Sequence, residues 1–188
     1  MVARGVRPLV DSWVTPNHLT FLRLLTGLLA AACFLPAETS WNYAGAAIFV
    51  VSFVLDRADG ALARLSGQTS VAGHHFDLVV DALCNALVFV AIGIGVRQGP
   101  LGDWSIVCGL VAGISVLAIL AIVVRGDVRL GPGSVAVAPS GGFDPDDAMI
   151  VVPIGMVLNM GVPLVAAAAI GTPLTLLYFL IRFRAAIR

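Results

Sequence analysis

The 188-residue chain contains no lysine: all eleven of its basic residues are arginine. Charge of either sign is scarce. Only 12% of residues are charged, where soluble proteins carry about 25%. Eleven acidic residues balance the eleven arginines, and the charges are dispersed, so there is no basic patch for nucleic acid and none is expected as a partner. Cysteine is also rare. Cys33, Cys84 and Cys108 stand alone in apolar runs, which excludes a disulfide framework or a thiolate metal centre and leaves them as small packing residues. What the chain has in abundance is apolar surface: 59% hydrophobic residues and a mean hydropathy of +1.00. These values define an integral membrane protein of one domain, residues 1–188, surrounded by membrane lipid.

The expected architecture is all-α: six membrane spans behind a short interfacial leader. Residues 1–18, with Arg4, Arg7 and Trp13, read as an amphipathic leader at headgroup level. Thr15 and Pro16 mark a helix start. Spans follow at about 19–35, 43–64, 75–96 and 104–124, separated by polar or Gly/Pro turns. Leu29–Cys33 faintly resembles a cleavage site, but Arg23 interrupts the apolar run before it and further spans follow, so the segment is read as retained. A Gly/Pro/Ser-rich loop covers 126–145. The 34 residues from Ala148 to Ile181 hold no charge, too many for one helix across a core of about 30 Å. Asn159–Pro163 therefore divides them into spans at 147–161 and 164–182. Six spans place both termini on one side. That side holds ten of the arginines, Arg23 lying near its interface, and the other holds Arg97 alone, so the termini are expected to be cytoplasmic, at a cell inner membrane.

One stretch conflicts with this apolar background. Asp56, Asp59, Asp77 and Asp81 lie within 26 residues. Each Asp at the centre of a membrane helix costs about 2.5–3.5 kcal/mol even on the lenient insertion scale. Spacings of three and four place each pair on one helix face, and the Gly67–Ser70 turn between them allows a hairpin that aims all four inward. Carboxylates that close repel unless cations sit among them, and hard oxygen ligands suit two magnesium or manganese ions. Paired metals commonly stabilise the attacking and leaving oxygens of a phosphoryl displacement.

The stretch D-R-A-D-G-A-L-A-R, eight residues, then G-H-H-F-D-L-V-V-D resembles the signature of the CDP-alcohol phosphotransferase family, D-x2-D-G-x2-A-R-x8-G-x3-D-x3-D. All eight fixed positions match: Asp56, Asp59, Gly60, Ala63, Arg64, Gly73, Asp77 and Asp81. The resemblance implies attack of an alcohol hydroxyl on the β-phosphorus of a CDP-alcohol, with release of CMP. It implies that Asp56, Asp59 and Asp77 hold the two ions, and that Asp81 contacts metal and serves as general base. Asp59, Gly60, Ala63, Arg64 and Gly73 would line the CDP site. The residue types agree: Gly60 and Ala63 lack bulk, and Arg64 offers a donor fork for a diphosphate. The resemblance also suggests a homodimer.

The acceptor is open. Arg125 and Arg129 suit a phosphate-bearing alcohol such as glycerol 3-phosphate or an inositol phosphate, and serve equally as topology signals. His74 and His75 fit either an acceptor contact or interfacial packing. Asp144, Asp146 and Asp147 read as helix-capping residues. Asn17, Thr20 and Arg23 share one helix face, which fits either the edge of a nucleotide site or helix packing. Asn85, four residues after Asp81, reads either as a support behind the site or as interhelical glue, and Gly109 with Gly113 as a helix-packing or dimer face. The preferred reading is transfer of a phosphatidyl-type group from a CDP-lipid, CDP-diacylglycerol foremost, to a polar alcohol. Its rivals are a CDP-polar-alcohol donor with a lipid acceptor, a magnesium-dependent prenyltransferase-like enzyme, and a divalent-cation carrier.

Overall fold

The computed structural model describes residues 5–131, 133–135 and 145–184, with the side chains of 145–147 excepted. Six α-helices account for most of it: α1 (Pro16–Phe34), α2 (Thr39–Ser66), α3 (Val71–Gly95), α4 (Trp104–Leu130), α5 (Val151–Val157) and α6 (Gly161–Arg182). No strand occurs among the described residues. Arg4, Asp144 and Arg188 lie outside them.

Local chemistry sets the helix ends. Pro16 opens α1 at its first position, and His18 Nδ1 accepts the Thr15 N–H at 3.2 Å. Gly67 closes α2 with φ 70°, a left-handed conformation that favours glycine. Ser70 then caps α3 by accepting the Gly73 N–H at 3.0 Å. The expected hairpin turn at Gly67–Ser70 is therefore built from a C-cap and an N-cap placed back to back.

Helices α1, α3, α4 and α6 are long and apolar enough to cross a membrane. Helix α2 has the length, but Thr39–Asn42 at one end and Asp56–Arg64 at the other dilute its apolar stretch. Asp56 lies about 26 Å along α2 from Thr39, close to the thickness of a bilayer core. The acidic stretch thus falls near the boundary between lipid and water rather than at mid-membrane. The fifth element departs from the predicted span at 147–161. A 3₁₀ turn, Pro145–Ile150, leads into only seven residues of α-helix. Its apolar part, Ala148–Val157, reaches about 15 Å, half the core. Asn159, at φ 55°, ends the element, and α6 begins at Gly161, earlier than the sequence predicts. Pro153 within α5 contributes no donor to the helix.

The core runs through the bundle centre. Phe34, Phe49, Val88, Ile92, Met156 and Val165, from α1, α2, α3, α5 and α6, are all nearly inaccessible. Val6 of the leader is buried against Ala58, Ala61 and Leu62, so the leader docks on the half of α2 that bears the aspartates. In its described part the leader is a 3₁₀ turn, Arg7–Leu9, rather than one continuous helix, and Trp13 is 84% exposed.

The Gly109–Gly113 pair packs inside the protomer. A Cβ on Gly109 would lie 2.6 Å from the Phe89 carbonyl oxygen, and one on Gly113 3.0 Å from that of Ala86. This face of α4 is spent on α3, and a homodimer would need another. Gly109→Ala should destabilise the protein by about 1–3 kcal/mol, because a backbone atom cannot swing aside. Thermal unfolding in detergent, followed by size-exclusion chromatography, would show a lowered midpoint. An unchanged midpoint would mean that α3 and α4 separate without loss.

Candidate active site

The four aspartates converge. One carboxylate oxygen from each of Asp56, Asp59 and Asp77 lies within 4.8 Å of the others. Asp56 and Asp59 come from the second half of α2, and Asp77 and Asp81 from the first half of α3. The α2–α3 hairpin brings the two pairs face to face. Asp59 is buried, and the other three are partly open.

Helix α1 supplies the counter-charge. The buried Arg23 guanidinium places Nη1 2.6 Å from Asp56 Oδ1 and 3.1 Å from Asp77 Oδ1. Its Nη2 donates a short hydrogen bond to Asp81 Oδ1. Close packing of α1 brings it there. Ser52 Oγ donates to the Arg23 carbonyl at 3.1 Å, and a Cβ at Gly27 would overlap Cys84 Sγ, so α1 presses closely on α2 and α3. Thr20 Oγ1 donates to Asp59 Oδ2 at 2.7 Å. Thr20 and Arg23 thus line the acidic centre. Asn17, on the same face, sits beside Gly73: a Cβ there would lie 3.3 Å from Asn17 Oδ1.

Asp81 is set apart from the other three. Its Oδ1 accepts from both Arg23 and Asn85 Nδ2, the latter at 2.9 Å, while Oδ2 has no partner among the described residues. Asn85 therefore supports Asp81 within α3, the first of its two readings. Below the cluster a small cavity of about 20 Å³, room for one water, is lined by Arg23, Ser52, Asp56, Asp81, Cys84 and Met149 among others.

The carboxylates suit a divalent cation. Three carboxylate oxygens within 4.8 Å of one another lie near the separations of oxygens that share one divalent ion. A hard all-oxygen donor set selects magnesium, manganese or calcium over softer metals. One guanidinium touching three carboxylates leaves charge for such ions to balance.

The other residues singled out in the sequence are distributed around this centre. Arg64 is exposed on the last turn of α2 and lies over Gly60, whose added Cβ would meet its Nη1 at 3.4 Å. Ala63 is half-buried beside them. Arg125 and Arg129 are exposed on the last two turns of α4, and no described contact joins them to the aspartates. His75 is half-buried, with Nε2 unpartnered among the described residues. His74 Nε2 lies 3.0 Å from Asp127 Oδ2. Asp127 is not legible in the sequence as a site residue. It has no neighbour of its own kind there, and its partner is 53 positions away.

The profile of the CDP-alcohol phosphatidyltransferase family matches residues 13–181. The chain belongs to that family. CDP-diacylglycerol–glycerol-3-phosphate 3-phosphatidyltransferase of Cereibacter sphaeroides is 34% identical over 96 residues, which cover 50% of this chain and 42% of that protein. Archaetidylinositol phosphate synthase of Pyrococcus horikoshii is 34% identical over 89 residues, 47% of this chain and 46% of that protein. The matched segments thus span less than half the length of either relative. The crystal structure of Mycobacterium tuberculosis phosphatidylinositol phosphate synthase, in complex with manganese and citrate, superposes with a TM-score of 0.67. That likeness covers 100% of this chain and 92% of the other at 20% identity, and establishes the fold. The chain is accordingly an integral membrane member of a family that joins CDP-alcohol donors to alcohol acceptors.

Proposed function

We propose that this protein transfers a phosphatidyl-type group from a CDP-lipid, CDP-diacylglycerol foremost, to the hydroxyl of a polar alcohol and releases CMP. The observation that carries the reading is the convergence of Asp56, Asp59 and Asp77 on one point, with Asp81 beside them and one carboxylate oxygen unclaimed. Asp56, Asp59 and Asp77 would hold two divalent cations, magnesium or manganese, with Asp81 at the edge of that set. Such ions offset the charge of a diphosphate when bound. Gly60 and Ala63 leave open backbone at the end of α2, and Arg64 above Gly60 presents its donors to the donor's phosphates.

Asp81 Oδ2 takes the proton of the acceptor hydroxyl. The acceptor oxygen forms a bond to the β-phosphorus, the bond from that phosphorus to the bridging oxygen breaks, and CMP leaves with the electron pair. Arg23 and Asn85 fix the other Asp81 oxygen, so the carboxylate cannot rotate away from its task. One relative's name specifies glycerol 3-phosphate as acceptor and the other's a phosphate-bearing product, which supports glycerol 3-phosphate or an inositol phosphate as acceptor, with Arg125 and Arg129 as candidate phosphate contacts at the end of α4. The arginine-rich ends of the helices lie at the same end as the cluster, with Arg97 at the other, which supports a cytoplasmic site and cytoplasmic termini.

The test is CMP release from CDP-diacylglycerol in detergent with a panel of alcohols. Release should require both an alcohol and manganese or magnesium, and EDTA should abolish it. Pyrophosphate release from a prenyl diphosphate, or metal flux through liposomes without nucleotide, would replace this reading with one of its rivals. Phosphate-bearing alcohols should bind better than bare ones by about tenfold or more. Equal use of both would remove Arg125 and Arg129 from the acceptor site.

A further inference from the structure

The turn that follows α4 is tied down more firmly than its composition suggests. Asp127 is buried, its side chain only 1% exposed, and both of its carboxylate oxygens are engaged. Oδ1 accepts the Gly133 N–H at 2.9 Å, and Oδ2 meets His74 Nε2 at 3.0 Å. Gly131 and Gly133, at φ 102° and 76°, turn the chain back toward the helix end. Ser134 Oγ donates to the Gly126 carbonyl at 3.2 Å, and Val135 is buried against Ile122 and Phe179. A carboxylate held in this way demands donors, so His74 Nε2 carries the hydrogen.

His74 stands in the first turn of α3, three residues before Asp77 and seven before Asp81, on the helix face that those aspartates share. Its side chain is 40% exposed, so the ring remains accessible to a solute. The α1–α2 side of the centre is occupied by Thr20, Arg23, Gly60 and Arg64. On the α3–α4 side, the His74–Asp127 contact is a polar link between the two helices among the described residues.

We propose that His74 and Asp127 are a positioning pair that clamps the turn after α4 to the first turn of α3 and so sets the binding of the acceptor alcohol. This rests on the transferase reading above. The pair holds α3, the end of α4 and the turn after it at a fixed separation from Asp81, and neither residue is asked to bind metal.

The experiment uses the full chain in detergent with manganese. His74→Leu and Asp127→Leu should each raise the KM for the acceptor about tenfold, the loss of a hydrogen bond to a charged group, and leave the KM for CDP-diacylglycerol within about twofold. The double variant should be no worse than either single one. His74→Gln keeps a donor at the same reach and should restore most of the acceptor KM. Equal shifts in both KM values, additive single effects, or no rescue by His74→Gln would overturn the proposal. Hydrogen exchange at the Gly133 amide gives a readout independent of turnover: His74→Leu should speed it. If the unaltered protein turns over no alcohol, the transferase reading fails, and exchange then decides the clamp alone. Unchanged exchange overturns it.

Discussion

Asp81→Asn should lower CMP release by about 10²–10⁴-fold, the usual worth of a positioned general base, while CDP-diacylglycerol still binds. The substitution preserves shape and an acceptor oxygen for Arg23 or Asn85, so the loss comes from the oxygen that would take the proton. Asp81 stands outside the group of three carboxylates that meet within 4.8 Å, so removing its charge should spare most of the metal affinity. The decisive measurement pairs single-turnover CMP release with equilibrium binding of the CDP-lipid. Turnover that survives the substitution would assign the base elsewhere. A parallel loss of binding would make Asp81 a structural ligand.

The contrast with Asp59 sharpens that expectation. Asp59 is buried and takes the Thr20 hydroxyl at 2.7 Å, whereas Asp81 is partly open and one of its oxygens takes both Arg23 and Asn85. Four aspartates that look equivalent as letters therefore divide into three whose oxygens enclose a point and one, Asp81, held beside them by Arg23 and Asn85. Spacing alone yields the pairs and their shared faces, because three- and four-residue steps on a helix are local geometry. The turn at Gly67 is equally legible, since a glycine between two apolar helices is a common C-cap. The membrane class follows from composition.

What spacing does not carry is which distant helix comes to rest against the site. Arg23 reaches Asp77 and Asp81 across 54 and 58 positions, and Asp127 reaches His74 across 53. Asn17, Thr20 and Arg23 display a polar face, but a face does not name its partner. By position alone Arg23 also fits an interfacial arginine that marks topology. The stretch 148–181 is illegible for a different reason. A run that is apolar all round has no periodicity to locate its core side. Only Asn159, Gly161 and Pro163 mark a break, and the shortness of α5 comes from a 3₁₀ turn that composition does not announce.

Arg23→Gln should destabilise the protein more than Gly109→Ala or any aspartate substitution, and metal should reverse the effect. Removing one partner of a buried ion pair typically costs about 3–5 kcal/mol, because the remaining charges stay buried and unbalanced. In this centre one side chain answers to three carboxylates, on two helices other than its own. In EDTA the variant should therefore unfold at a markedly lower temperature than the unaltered protein. Removing a positive charge from the centre of an acidic cluster also strengthens that cluster's attraction for divalent cations. Manganese should then raise the unfolding temperature of the variant by more than it raises that of the unaltered protein, since binding to the folded state stabilises in proportion to affinity. Turnover need not recover with stability, because Asp81 loses the donor that fixes its orientation. An equal manganese response in both proteins would mean that Arg23 and the ions occupy separate electrostatic environments, and the acidic centre would then need a second source of counter-charge.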